Sequence, residues 1–330
     1  MASTRPSTLP LAQPAAQRLA PSPSTPGALD ARAIGVMTLV CLIWGLQQVS
    51  LKAVAAQASP MLLVALRSLI ALVLLAGLMA WRRETLARSR WAPGLLAGTL
   101  YALEYLLLTG ALALTQASHV VVFLYSAPIF AALGLQMRLP AERLGPVQWA
   151  GTCIAFAGIA LAFFGGFDSG ASQTGWRPVL GDALAVLAGA AWGATTVTIR
   201  CSSLASAPAT ETLMYQLAGA FVLLLPLAWL TGQWHFEPSA TVWAHLGFQS
   251  LVMSLASVLA WFWLLRTYRA SQLGVFSFLT PLFGVLLGVW LLGETLEARF
   301  IAGGALVVAG VALVSGEAFA ARRPKRPTPS

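Results

Sequence analysis

Glu104 stands in the run Ala102-Leu103-Glu104-Tyr105-Leu106-Leu107-Leu108, with no other charge for more than ten residues on either side. A carboxylate at the centre of a bilayer costs about 3 kcal/mol on insertion scales. Such a group must face a protein interior, be uncharged, or find a counter-charge. Arg67, in Val64-Ala65-Leu66-Arg67-Ser68, is the candidate counter-charge, because the helical rise puts the two residues at similar depths of adjacent segments. A carboxylate and a guanidinium among apolar helices can hold a charged solute or relay a proton. They can equally be a static pair that locks two helices. Both readings are open on sequence alone.

Further polar and aromatic side chains recur at helical spacing. Trp44, Gln47 and Gln48 share one face, Trp192, Thr195 and Thr196 a second, and Tyr101, Glu104 and Tyr105 a third. Ser254 and Ser257 supply a fourth. Any one of these residues reads as interhelical glue. Four faces at similar depth read as the lining of a cavity for a small molecule. Trp44, Tyr105, Tyr125 and Trp192 are aromatic surfaces that can hold a flat cation beside Glu104.

Other chemistries find no support. His119, His235 and His245 are dispersed, and Cys41, Cys153 and Cys201 show no ligand spacing, so neither a metal site nor a disulfide framework is expected. No HExxH, GxSxG or phosphate-cradling glycine loop occurs. The expectation is a chain with no cofactor and no enzymatic activity. The net charge of +9 sits in short segments between apolar runs and does not indicate a nucleic-acid partner.

The elements that must position these residues are membrane spans. Hydrophobic residues make up 58% of the 330-residue chain and charged residues only 9%, against about 25% in a soluble domain. Lipid must therefore solvate most of the surface. Ten apolar segments are long enough to cross a bilayer: 34–54, 60–81, 93–113, 117–137, 146–165, 179–200, 209–230, 242–266, 272–292 and 299–320. The predicted class is an all-α membrane protein. Of the 20 lysines and arginines, all but Lys52, Arg67, Arg177 and Arg299 fall on one side of this arrangement. The positive-inside rule then makes both termini cytoplasmic, with Arg88 in an inner loop and Ala171 in an outer one.

The chain also repeats itself. Trp44-Gly45 recurs as Trp192-Gly193, 148 residues later, and Lys52 as Arg200. Ala117-Ser118 and Pro128 recur 153 residues later as Ala270-Ser271 and Pro281. Gly151 and Gly158 recur 152 residues later as Gly303 and Gly310. Five spans separate the copies, an odd number, so the prediction is two inverted five-helix repeats, with a site near mid-depth. The domain boundaries follow: a disordered tail over 1–32, repeats over 33–165 and 179–320, a linker over 166–178, and a basic tail over 321–330. No apolar stretch precedes the first span, so no cleaved signal peptide is expected. Pro128 and Pro281 lie mid-span and predict kinks, either fixed bends or gating points. The repeated glycines predict close helix contact, within the chain or in a homodimer.

With these residues in place, the chain resembles the EamA-type carriers of the drug/metabolite transporter superfamily over 34–320. The resemblance rests on Ile43-Trp44-Gly45 with Lys52, Ser59-Pro60 with Arg67, and Ser126-Ala127-Pro128 before Glu142. It rests further on Gly181-Asp182 before Trp192 and on Leu279-Thr280-Pro281 before Gly293-Glu294. It implies an inner-membrane carrier with a central cavity, exporting amino acids or related small metabolites, with Glu142 and Glu294 as turn residues. Glu104 departs from the neutral polar residue that relatives often carry there. A multidrug efflux carrier for cationic aromatic compounds is the alternative. A proton is the candidate coupling ion.

Overall fold

The computed structural model describes residues 30–115, 117–164, 176–292 and 298–320. Residues 1–29 and 321–330 of the tails, 165–175 with Ala171, and 293–297 with the Gly293-Glu294 turn lie outside the described residues, while 31–32 and 176–178, expected in the tail and the linker, are helical in α1 and α7. Ten helical spans are long and apolar enough to cross a membrane, and no strand occurs among the described residues. Seven spans are built from single helices: α1 (Ala31–Ala53), α2 (Pro60–Trp81), α3 (Trp91–Leu112), α6 (Pro146–Phe164), α7 (Trp176–Arg200), α8 (Ala209–Leu230) and α13 (Ala298–Ala320). The other three are interrupted, and the interruptions fall beside the residues that carry the chemistry.

The fourth span is α4 (Ala117–Leu124) followed by α5 (Ala127–Arg138), and the ninth is α11 (Ala270–Phe276) followed by α12 (Leu279–Leu292). Pro128 and Pro281 therefore do not kink continuous helices. They are the second residue of α5 and the third of α12, in a first turn where a missing N–H leaves no helical bond unmade. Each break is closed by a serine. The hydroxyls of Ser126 and Ser277 donate to the carbonyls of Phe123 and Gly274, both at 2.6 Å. The one proline beyond the first turn of a described helix is Pro226 of α8, which the sequence reading passed over. The eighth span runs α9 (Ala240–Phe248), a π-helical segment (Gln249–Ser257) and α10 (Val258–Thr267). Single π turns gather at functional sites, and this one holds Gln249, Met253 and Ser257.

Helix packing follows the sequence repeat. α1 packs on α12 as α7 packs on α5, and α3 packs on α8 as α2 packs on the π segment. The glycine after each repeated tryptophan explains the first pair. A Cβ on Gly45 would lie 2.8 Å from the Gly284 nitrogen, and one on Gly193 would lie 2.7 Å from the Phe130 Cβ. α6 and α13 pack on each other along their glycines. A Cβ on Gly158 would meet the Gly303 oxygen at 2.6 Å and the Val307 nitrogen at 2.7 Å. Both obstacles are backbone, which cannot step aside. Gly158→Val is therefore expected to destabilise the protein by at least about 1–3 kcal/mol through overpacking. Thermal unfolding in detergent checks this, and an unchanged midpoint would show that the two helices can separate at no cost.

Contacts between connections define the two ends of the bundle. At one end Ser59 and His235 exchange a backbone bond (3.0 Å), and Ala58 bridges to Phe236. Asp182 lies inside α7, in its second turn. It accepts from Thr115 at 2.8 Å and pairs with His119 at 3.2 Å at that same end. The opposite end carries the arginines and a denser set of ties. Arg90 meets Glu211 at 2.7 Å, Thr210 donates to Glu84, and Tyr268 donates to Asp30 at 3.0 Å.

Candidate functional cavity

The repeated faces meet in one cavity of about 190 Å³. Trp44, Gln47, Gln48 and Leu51 of α1 line it, and so do Trp192, Thr195, Thr196 and Ile199, the residues 148 positions later in α7. Equivalent turns of two helices thus supply equivalent walls. α3 contributes Tyr101, Glu104, Tyr105 and Leu108. Tyr125 enters from the break between α4 and α5, and Thr280 from the first turn of α12. The broken spans do more than bend: each brings a side chain to the wall at the point where the helix restarts.

Three residues of the sequence-derived set stand behind the wall. Ser257 accepts a hydrogen bond from Trp44 Nε1 at 3.0 Å and donates to the Met253 carbonyl at 2.5 Å. It orients the tryptophan without lining the cavity. Ser254 is buried, with its hydroxyl 3.7 Å from the Met253 sulfur. Arg67 is completely buried. Its Nη1 donates to Gln249 Oε1 at 2.8 Å, and its guanidinium lies 5.0 Å from the centre of the Tyr105 ring. Nε and Nη2 have no hydrogen-bond partner among the described residues. Arg67 and Glu104 form no direct ion pair, so the counter-charge expected from depth alone is not in contact. Gln249, the first residue of the π segment, gives Arg67 a neutral acceptor instead. Gln249 continues to the Ser50 hydroxyl (3.5 Å), and Ser50 to His245 (2.7 Å).

Glu104 is 9% exposed, and that exposure is to the cavity. It makes no hydrogen bond or salt bridge with any described residue. Aromatic rings surround one end of the space. Trp44 meets Trp192 at 6.2 Å and Trp261 at 5.7 Å between ring centres, and Trp192 meets Tyr125 at 5.8 Å, all edge to face. From this aromatic floor the cavity reaches Leu51, Pro60 and Leu112, which lie at the helix ends on the His235 side of the bundle.

Sequence reasoning missed Trp261, Val258, Gln216, Thr280, Thr109 and Met253 on the wall. Two were within reach. Tyr105 and Leu108 plus the offset of 153 give Val258 and Trp261, so carrying the repeat one turn past Ser257 finds both. Gln216 and Thr280 had no such signal, since their counterparts are Ser68 and Ala127.

The Arg200 end is closed by a buried cluster. Arg200 Nη2 and Nε reach Glu142 Oε1 at 2.5 and 3.2 Å, and Nη1 donates to the Leu265 carbonyl at 2.6 Å. Glu142 Oε2 accepts from the backbone and hydroxyl of Ser271 at 3.1 and 3.0 Å. Glu142 is 1% exposed. One carboxylate thus ties the connection after α5 to α7 and α11, and Arg200 extends the tie to α10. No group of three or more metal-ligating side chains occurs among the described residues.

The chain shares its fold with a protein of known crystal structure, at a TM-score of 0.74 over 89% of this chain and 100% of that one, with 22% identity. It is 27% identical over 294 residues to an uncharacterized transporter of Archaeoglobus fulgidus, covering 86% of this chain and 96% of the relative. The sequence model of the EamA-like transporter family matches it twice, over 31–164 and 179–316, once for each half of the bundle. A duplicated bundle of ten apolar spans around one cavity is thus joined to a family match that covers nearly all of it, and the chain belongs to the EamA-like transporter family, within the drug/metabolite transporter superfamily, as a multi-pass membrane protein.

Proposed function

We propose that this protein is a secondary carrier that exports a small organic metabolite across the cell inner membrane by alternating access, with both termini cytoplasmic. The observation that carries the reading is the cavity wall. Equivalent turns of α1 and α7 build it from both repeats, its lining runs from Leu51, Pro60 and Leu112 at one end of the bundle to Ile199 of α7, and just beyond Ile199 the Arg200 end is tied around Glu142. If the repeats are inverted, exchanging their conformations closes the first end and opens the second. Pro128 and Pro281, beside the helix breaks, are the proposed pivots. Glu104 is the proposed site of proton coupling, because it is the one carboxylate on the cavity wall.

Two experiments test this reading. Overexpression should raise one small solute in the medium, found by untargeted profiling, and deletion should lower it. Trp44→Ala and Trp192→Ala should each reduce that efflux by about tenfold or more at normal expression, since each removes a ring from the aromatic floor. If efflux is unchanged in both variants, the site assignment fails. Orientation is read separately, in a background lacking Cys41, Cys153 and Cys201. An impermeant thiol reagent should label Glu237→Cys but not Arg88→Cys in intact cells. The reverse pattern would place the cation-rich end outside and overturn the topology.

A further inference from the structure

Resting on the carrier reading, the geometry points to a substrate class: an aromatic or similarly flat organic monocation, an amine without a carboxylate. Three features of the cavity lead there. Its wall holds one charged side chain, Glu104, and that carboxylate makes no hydrogen bond or salt bridge with any described residue, the buried Arg67 guanidinium acting on it only through space. A buried carboxylate facing an open space is complementary to a cationic donor, and a charge-assisted bond is stronger than a neutral one.

Second, the positive charge nearby is kept off the wall. Arg67 is completely buried, donates Nη1 to Gln249, and is set behind the Tyr105 ring that lines the space, so its remaining N–H groups do not reach the wall. A solute carboxylate entering the cavity would find no cation on the wall to meet. Gln47, Gln48 and Gln216 offer neutral amides only. Zwitterionic amino acids would satisfy their ammonium at Glu104 and bury their carboxylate beside a second carboxylate. This disfavours the amino-acid class that the family resemblance implied.

Third, the remaining wall is aromatic. Trp44, Trp192, Trp261 and Tyr125 form the floor, and Tyr101 and Tyr105 flank Glu104 with ring centres 5.1 Å apart. Ring faces attract cations and accept flat apolar groups. The size agrees. A cavity of about 150 Å³ accepts benzene, and this one, at about 190 Å³, has room for a ring with a short amine-bearing chain.

The test uses three compounds that share a ring and differ in charge: 2-phenylethylamine, phenylalanine and phenylacetate. Binding to the purified full-length protein in detergent is read by quenching of tryptophan fluorescence. The amine is expected to bind at least about tenfold more tightly than phenylalanine, with phenylacetate weakest. Glu104→Gln, which keeps size and polarity, should remove most of the amine's advantage and leave the other two unchanged. The wild-type ranking needs no variant, so a folding defect cannot hide the answer. Phenylalanine binding as tightly as the amine, or an amine affinity unaltered in Glu104→Gln, would overturn the proposal. Uptake into proteoliposomes keeps the two readings apart. Amine binding without any transport would sink the carrier and spare the substrate class. Transport of phenylalanine with no dependence on Glu104 would do the opposite.

Discussion

Glu142→Leu is expected to destabilise the protein by about 3–5 kcal/mol, the cost of leaving a buried charge without its partner. Arg200 would keep its bond to the Leu265 carbonyl but lose both of its contacts to Glu142. Ser271 would lose the acceptor for its backbone and its hydroxyl. Thermal unfolding in detergent measures the loss. The double variant Glu142→Leu with Arg200→Met should recover most of it, since apolar residues of similar volume often replace a buried pair without penalty. A single variant as stable as wild type would mean that the cluster is not under tension at all. The double variant has a second expected consequence. With its ties removed, that end of the bundle should open more often, and cysteines near Ile199 and Val258 should become reactive from the cytoplasm.

Glu104→Gln is expected to abolish gradient-driven accumulation while leaving exchange of solute for solute intact. Glutamine retains hydrogen bonding but cannot bind and release a proton, so flux should no longer respond to an imposed pH difference or vary with pH through this group. Assays must use solute at concentrations that saturate the variant, because the carboxylate also contributes to binding. Proteoliposomes with an imposed pH gradient give the measurement. Undiminished accumulation with an unchanged pH profile would exclude Glu104 from coupling. The structure narrows the alternatives for Arg67. Its acceptor is Gln249, so Gln249→Leu should strand the guanidinium and lower expression, whereas Glu104→Gln should not.

The spans were legible because each is a long apolar run bounded by charge, Pro or Gly, and all ten occur in the structure. The equivalence of Trp44 and Trp192 was legible because sequence repeats carry register, and the same arithmetic reaches Val258 and Trp261. What was not legible depends on the direction of backbone groups. Whether Pro128 and Pro281 bend a helix or restart one turns on the Ser126 and Ser277 hydroxyls finding carbonyls three residues back. Both outcomes fit the same residues. The π segment at Gln249–Ser257 likewise has no sequence signature, yet its first residue, Gln249, is the acceptor that Arg67 meets. Depth along a helix can be counted from a sequence; azimuth around a helix with one wide turn cannot.

Alternating exposure of the cavity is tested most directly at Gln48, which lines it beside the aromatic floor. In a background lacking the native cysteines, Gln48→Cys is treated with an impermeant thiol reagent in intact cells and in inside-out vesicles. The account predicts labelling from the outer face in cells, labelling from the cytoplasmic face in vesicles that rises when Glu142→Leu and Arg200→Met are added, and protection by bound amine on both sides. Labelling from one face only, unchanged by the Glu142 and Arg200 replacements, would contradict it.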